Sequence, residues 1–175
     1  MTKEVTCKKH PASFPKKILD VVDQILAQLA FALIWVPARI LDPFVGIGGI
    51  GGLNWDGEIY GVEIEPEWAE QARARGIITH TGDARRLPWP DGFFGAICTS
   101  PTYGNRLADS YAPDLSDPKH GKRRSYRIYL GRPLTSGNSG AMHVGDDYRN
   151  LHRSVWADCV RVLAPGGLFL LNIKD

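Results

Sequence analysis

Apolar positions recur along this chain with two different periods. Ile18, Leu19, Val22, Ile25, Leu26 and Leu29 fall at helical spacing, and Pro15 suits a first turn, so a helix is expected from Pro15 to about Leu33. Arg39-Ile40-Leu41 is a short apolar run stopped by Asp42-Pro43 and reads as a buried strand. Three further strands are expected at Glu58 to Glu63, Ile77 to Thr81 and Phe93 to Thr99, with a proline-opened helix from Pro66 to Arg75. A glycine-rich turn after the first strand leaves room for only a short helix near Gly49–Asn54. Leu151, Val155, Cys159 and Val162 share one helical face within Asp147 to Leu163, Pro165-Gly166-Gly167 ends that helix, and Leu168 to Ile173 is a fifth strand. Residues 1–14 are polar and proline-broken, and Thr102 to Gly145 shows no sustained period.

Strands alternating with helices imply parallel βαβ units joined by right-handed crossovers. The expected fold is α/β, a Rossmann-like, mostly parallel sheet with helices on both faces. Such sheets bind ligands beyond the carboxyl ends of their strands, at the point where strand order reverses. Each chemically unusual stretch falls at such an end: Asp42 to Gly49, Glu63, Asp83, and Ser100 to Tyr103.

Composition narrows the picture. At 175 residues the chain is expected to be one domain spanning 1–175, and 43% hydrophobic with 23% charged residues excludes a disordered polyelectrolyte. The longest apolar run, Ile25 to Val36, is interrupted by Gln28 and falls short of the roughly 20 residues that span a bilayer, so no membrane association is expected. Cys7, Cys98 and Cys159 are odd in number and form no CxxC pair, which fits a reducing cytoplasmic setting and argues against a metal site. Charge is uneven. Tyr103 to Arg153 carries nine Lys/Arg against five Asp, whereas the remainder is net −2. A basic stretch on a near-neutral body points to an anionic partner or to a solvated loop.

Seven of the 19 glycines lie between Gly46 and Gly61, and Gly46 to Gly51 matches GxGxxG literally. Glu63 and Glu65 follow Gly46 by 17 and 19 residues, near the spacing of a ribose-binding acid, so a dinucleotide site must be weighed. Asp42-Pro43-Phe44, however, stands between the strand and the first glycine. An acid there repels a pyrophosphate and suits an ammonium-bearing ligand, and the short helix offers a weak dipole for phosphate.

Asp42-Pro43-Phe44-Val45-Gly46-Ile47-Gly48 resembles the DPFxGxG motif of S-adenosylmethionine-dependent methyltransferases that modify exocyclic amino groups of nucleic-acid bases. Ser100-Pro101-Thr102-Tyr103 resembles their catalytic tetrapeptide, [D/N/S]PP[Y/F/W], and His10 to Pro15 resembles their HPAxFP segment. The resemblance covers nearly all of the chain outside a basic insert at 104–146. It implies that Asp42 helps hold the methionine ammonium, that Glu63 pairs with the ribose hydroxyls, and that Asp83 and the Ala84 N–H meet adenine. Gly46 and Gly48 let the backbone approach the cofactor, Phe14 and Phe44 form apolar walls, and Ile64 and Ser100 complete the cofactor set. Glu65 reads as structural.

The same resemblance implies that the Ser100 side chain and the Pro101 carbonyl accept the two amino hydrogens of the target base. Pro101 restrains both itself and Ser100. Tyr103 would stack on a base flipped out of double-stranded DNA. Thr102 stands where the family has a second proline, which leaves that peptide freer. Serine in the first position leans toward N4 of cytosine over N6 of adenine. The basic stretch from Tyr103 to Arg153 holds Tyr111, Tyr126, Tyr129 and Tyr148 among its bases, and Arg106, Lys122, Arg123, Arg124 and Arg127 are the candidate nucleic-acid contacts.

The leading expectation is a site-specific DNA amino-methyltransferase of the restriction–modification kind. An RNA or protein-amide methyltransferase and a catalytically silent cofactor- or DNA-binding module stay open, with a nicotinamide dehydrogenase last. Members of the family usually carry two further strands after the fifth. The chain is therefore expected to lack that edge of the sheet, with residues 168–173 paired by a second copy or a partner chain.

Overall fold

In a computed structural model, residues 14–30, 38–102 and 130–173 are described. The strands are β1 (Arg39–Asp42), β2 (Glu58–Glu63), β3 (Ile78–Thr81), β4 (Phe94–Thr99) and β5 (Leu163–Leu171). The α-helices are α1 (Lys16–Ala30), α2 (Pro66–Ala74) and α3 (Asp146–Val162), with single 3₁₀ turns at Gly49–Gly52 and Ser139–Ala141. The five strands form one sheet in the order β3-β2-β1-β4-β5, and every pairing is parallel. The chain moves outward from β1 to β3, then returns to the other side of β1 for β4. The switch point is therefore the crevice between the carboxyl ends of β1 and β4.

Alternation along the strands builds two cores. Ile40, Ala96 and Cys98 face α1, where Leu19, Val22 and Leu26 pack with Ile50 and Ile77. Leu41, Tyr60, Val62 and Ile97 face α3, where Leu151, Val155, Cys159 and Val162 close the other side. Helices thus cover both faces, as the apolar pattern predicts. Cys98 and Cys159 are free thiols, and burial pushes each up to about 12, so neither is a ready nucleophile.

The end of the fold departs from expectation. Pro165-Gly166-Gly167 does not separate α3 from the last strand. Instead α3 passes into β5 at Leu163, and the three residues lie inside the strand as an irregularity. Phe94 pairs with Leu163 while Ala96 already pairs with Leu168. Gly166 takes φ of 81°, and a Cβ at Gly167 would lie 2.8 Å from the Gly95 carbonyl oxygen, so the glycines let two backbones pass closely. Phe94 and Ile97 share a core in spite of their odd spacing. Among the described residues β5 forms a sheet edge, with Leu171 41% and Ile173 64% exposed. No helix of the described residues is long and apolar enough to cross a membrane.

Candidate functional site

One pocket lies at the carboxyl ends of β1, β2, β3 and β4. Phe14, Asp42, Phe44, Gly46, Glu63, Ile64, Asp83, Ala84, Ser100 and Thr102 all line it. Five segments spread over the sequence therefore supply these walls.

The β1 turn is anchored sideways. The Val45 N–H donates to the Val62 carbonyl at 3.1 Å, and Gly61 leaves room for Val45, whose Cβ would sit 2.6 Å from a Cβ there. Asp42 Oδ1 accepts the Thr99 hydroxyl at 2.6 Å and the Phe44 N–H at 3.0 Å. Both bonds land on one oxygen, and Oδ2 accepts none among the described residues. Burial pushes the Asp42 carboxyl up to about 7, against the pull of these two donors.

Glu63 ends β2 in the same condition. Its Oε1 accepts the Glu65 N–H at 2.8 Å. Burial raises its carboxyl to about 8, with the neighbouring Glu65 charge adding to the rise and the Gly46 and Ile64 N–H groups opposing it. Among the described residues neither Asp42 nor Glu63 has a cationic partner. A ligand bringing an ammonium and hydroxyl donors would meet both unfilled needs. Asp83 differs. Arg85 grips both of its oxygens through Nε and Nη2, and this guanidinium holds the Asp83 carboxyl below its ordinary range. Any ligand donor at Asp83 therefore shares the carboxylate with Arg85.

The glycines divide their work unlike the expectation. Gly46 (φ 53°) lines the pocket. Gly48 does not: a Cβ there would lie 2.8 Å from Ile77 Cδ1 and 3.1 Å from Ala72 Cα, so it serves the packing of α2. Close approach at the pocket belongs to Gly49, where a Cβ would meet the Phe14 nitrogen at 2.9 Å. The literal GxGxxG thus opens only a single 3₁₀ turn, too short to act as a phosphate-binding helix.

After β4, Ser100 Oγ accepts the Asn172 side-chain amide at 3.1 Å, and the Asn172 N–H donates to the Thr99 carbonyl at 2.9 Å. Pro101 is buried and does not itself line the pocket. The Thr102 carbonyl accepts the Tyr148 hydroxyl at 2.7 Å. Tyr148 is therefore not a free stacking residue of the basic stretch. It stands in the first turn of α3 against His152, ring centroids 4.2 Å apart, and His152 Nδ1 donates to the Tyr148 carbonyl at 2.8 Å. Tyr103, Arg106, Lys122, Arg123, Arg124 and Arg127 lie outside the described residues, as do residues 104–129 of the expected insert and residues 10–13 of the HPAxFP-like segment. No group of three metal-ligating side chains occurs among the described residues.

Sequence reasoning missed one wall. Gly137, Asn138 and Ser139, within the stretch expected to be an irregular insert, also line the pocket. They are held by Glu65, which is fully buried. Its Oε1 accepts the Thr135 N–H at 2.8 Å and the Asn138 amide at 2.7 Å, and its Oε2 accepts the Thr135 hydroxyl at 2.9 Å. Arg132 adds an ion pair to Glu65 at 2.8 Å and a second one to Glu67. Glu65 is structural, as the sequence implies, but its work is to fasten residues 132–138 to the start of α2.

No protein-family model and no curated protein sequence matches the chain. Solved structures do. A protein from Galdieria sulphuraria described as a candidate sarcosine dimethylglycine methyltransferase superposes with a TM-score of 0.51 at 16% identity, covering 89% of this chain and 48% of that one. The YcgJ protein from Bacillus subtilis gives a TM-score of 0.48 at 18% identity over 90% of this chain and 50% of its own. The PH0226 protein from Pyrococcus horikoshii gives 0.43 at 18% identity, over 89% and 57%. The chain spans about half the length of these structures. The chain shares the Rossmann-like fold of the Galdieria sulphuraria structure.

Proposed function

We propose that the chain binds S-adenosylmethionine and transfers its methyl group to an exocyclic amino group of a DNA base, N4 of cytosine before N6 of adenine. One observation carries this reading: Asp42, Glu63, Asp83 and Ser100, at the ends of four adjacent parallel strands, line a single pocket. The residues present fit the cofactor. Two buried carboxyl groups lack cations among the described residues and would answer an ammonium and ribose hydroxyls, while Phe14, Phe44 and Ile64 offer apolar surface. Asp42 would hold the ammonium, Glu63 the ribose, and Asp83 with the Ala84 N–H the adenine edge. When bound, the cofactor supplies an electrophilic methyl on a sulfonium.

The chain's own residues would do the rest. An exocyclic amino nitrogen is a poor nucleophile because its lone pair is delocalised into the ring. Ser100 Oγ and the Pro101 carbonyl, as acceptors for its two hydrogens, pull the nitrogen toward a tetrahedral shape and localise that pair. Asn172 occupies one lone-pair direction of Ser100 Oγ, leaving the other for the base. Acceptors fixed before the reaction need no rearrangement during it. Tyr148 is a positioning residue here. Its hydrogen bond to the Thr102 carbonyl restrains the peptide that a second proline would otherwise stiffen. Tyr103 would stack on the flipped base, a contact worth about 1–3 kcal/mol.

The test uses labelled S-adenosylmethionine with DNA and RNA, followed by digestion to nucleosides. Label in N4-methylcytosine supports the reading in full, label in N6-methyladenine only its coarser form, and label in RNA alone replaces the substrate. Absence of label from every nucleic acid defeats it. Tyr148→Phe is expected to lower kcat about tenfold, the scale of one net hydrogen bond, with KM for the cofactor unchanged. Restoring the lost stiffness with Thr102→Pro in the same chain should recover most of the rate. Replacing Arg123 and Arg124 with Ala should flatten the salt dependence of DNA binding, and an unchanged slope removes them from the interface.

A further inference from the structure

Residues 132–141 connect the basic stretch to α3 and need not touch the pocket at all. The structure nevertheless buries them. Glu65 takes up the Thr135 N–H, the Thr135 hydroxyl and the Asn138 amide, and Asn138 Oδ1 accepts the Gly140 N–H at 2.8 Å. The polar groups of Thr135 and Asn138 are thus consumed in holding the segment.

Ser139 is different. It is only 5% exposed and lines the pocket, yet its hydroxyl makes no hydrogen bond to any described residue. The hydroxyl is not sealed off within the protein, so it is free to bond whatever fills the pocket. The location narrows the ligand. Gly137, two residues earlier, adopts φ of 87°, and a Cβ there would lie 3.2 Å from Arg85 Nη2 and 3.9 Å from both Asp83 Oδ2 and Ile64 Cδ1. The segment therefore closes over the end of the pocket formed after β2 and β3, far along the sheet from Ser100. A side chain at Gly137 would intrude there, and its left-handed backbone also favours glycine.

We propose that residues 135–139 are a nucleoside-reading wall of this pocket, with the Ser139 hydroxyl hydrogen-bonding the adenosine half of the ligand and Glu65 as the anchor that sets its position. The proposal rests on the pocket being an S-adenosylmethionine site. A hydroxyl both donates and accepts, which suits the mixed edge of an adenine or a ribose. The wall also makes cofactor binding depend on the segment that leaves the basic stretch.

Calorimetry with S-adenosylhomocysteine and with 5′-methylthioadenosine tests this, since the second compound keeps the adenosine and lacks the amino acid. Ser139→Ala should weaken both ligands about three- to tenfold, the range of one net hydrogen bond, with the melting temperature of the ligand-free protein unchanged. Asp42→Asn should weaken only S-adenosylhomocysteine. Glu65→Gln should weaken both ligands, and Ser139→Ala decides the matter if that variant does not fold. Equal affinities for wild type and Ser139→Ala overturn the proposal while leaving the cofactor reading intact. Loss confined to S-adenosylhomocysteine also overturns it, because the contact would then lie at the amino-acid end. Wild-type protein that binds neither compound overturns the cofactor reading, and this wall falls with it.

Discussion

Glu63 and Glu65 stand two residues apart, both are buried, and they have opposite fates. Glu65 is saturated: two donors from Thr135, one from Asn138 and the Arg132 guanidinium. Among the described residues Glu63 receives only backbone N–H groups, and burial raises its carboxyl to about 8. A buried carboxylate surrounded by donors is a structural fastener. One with backbone donors alone and no cation among the described residues is, on the proposed function, the group that the ligand completes.

The largest test breaks the fastener. Glu65→Ala removes the acceptor for three hydrogen bonds and leaves the Thr135 and Asn138 donors in a buried place. Breaking a buried charged network by removing one partner costs about 3–5 kcal/mol. Urea denaturation should show a loss of that size. A change below about 1 kcal/mol would mean that the segment releases without consequence and that Glu65 is no anchor.

Glu63 should behave in the reverse sense. Its folded value of about 8 exceeds the ordinary 4.5, so between those values the folded chain holds more protons than the unfolded one. Stability from this group is complete below the lower value and falls as pH rises through the upper one. Asp42, raised from 3.8 to about 7, acts in the same direction over a slightly more acidic window. Ligand-free wild type should therefore lose stability on going from about pH 5 to about pH 8.5, by on the order of 1–3 kcal/mol for each of these two carboxyl groups. Glu63→Gln should lack most of its share of that slope. S-adenosylhomocysteine should show the opposite trend, binding more tightly as the two carboxyls ionise. A pH-independent affinity would argue that neither group touches the ligand in its charged form.

The sequence discloses Glu63 far better than it discloses the partners of Glu65. Apolar runs mark β1, β2 and β4 because each is buried on both faces, and a polar residue at the end of such a run stands out. Asp42, Glu63 and Ser100 are legible for that reason. Thr135 and Asn138 carry no such signal. They are polar residues in a stretch without period, 70 and 73 positions from Glu65, and only the folded chain brings them to it. The lone hint is Glu65 itself, an acid placed just before the proline of α2 with no surface to occupy. Tyr148 misleads for a related reason: counted with the tyrosines of the basic stretch, it belongs to the first turn of α3 and to Thr102. The start of β5 is hidden because Pro-Gly-Gly is a turn signal, and a strand can absorb the same residues as a bulge.

The smallest effect separates the two halves of the anchor. Arg132 bridges Glu65 and Glu67, but its side chain is 34% exposed, and Thr135 and Asn138 still satisfy Glu65 without it. Arg132→Ala should cost at most about 1 kcal/mol, because a half-solvated guanidinium regains water when it lets go. Its pH signature is distinct. Arg132 holds the Glu67 carboxyl below its ordinary 4.5. That contribution is present above 4.5 and fades as pH falls through the lower folded value, so the gap between wild type and Arg132→Ala should narrow in acid. The slope runs opposite to that of Glu63, and one pair of denaturation series at acid and neutral pH reads both. A gap that stays constant into acid would assign Arg132 to packing of its aliphatic stem, and would leave Thr135 and Asn138 as the whole of the hold on the pocket wall.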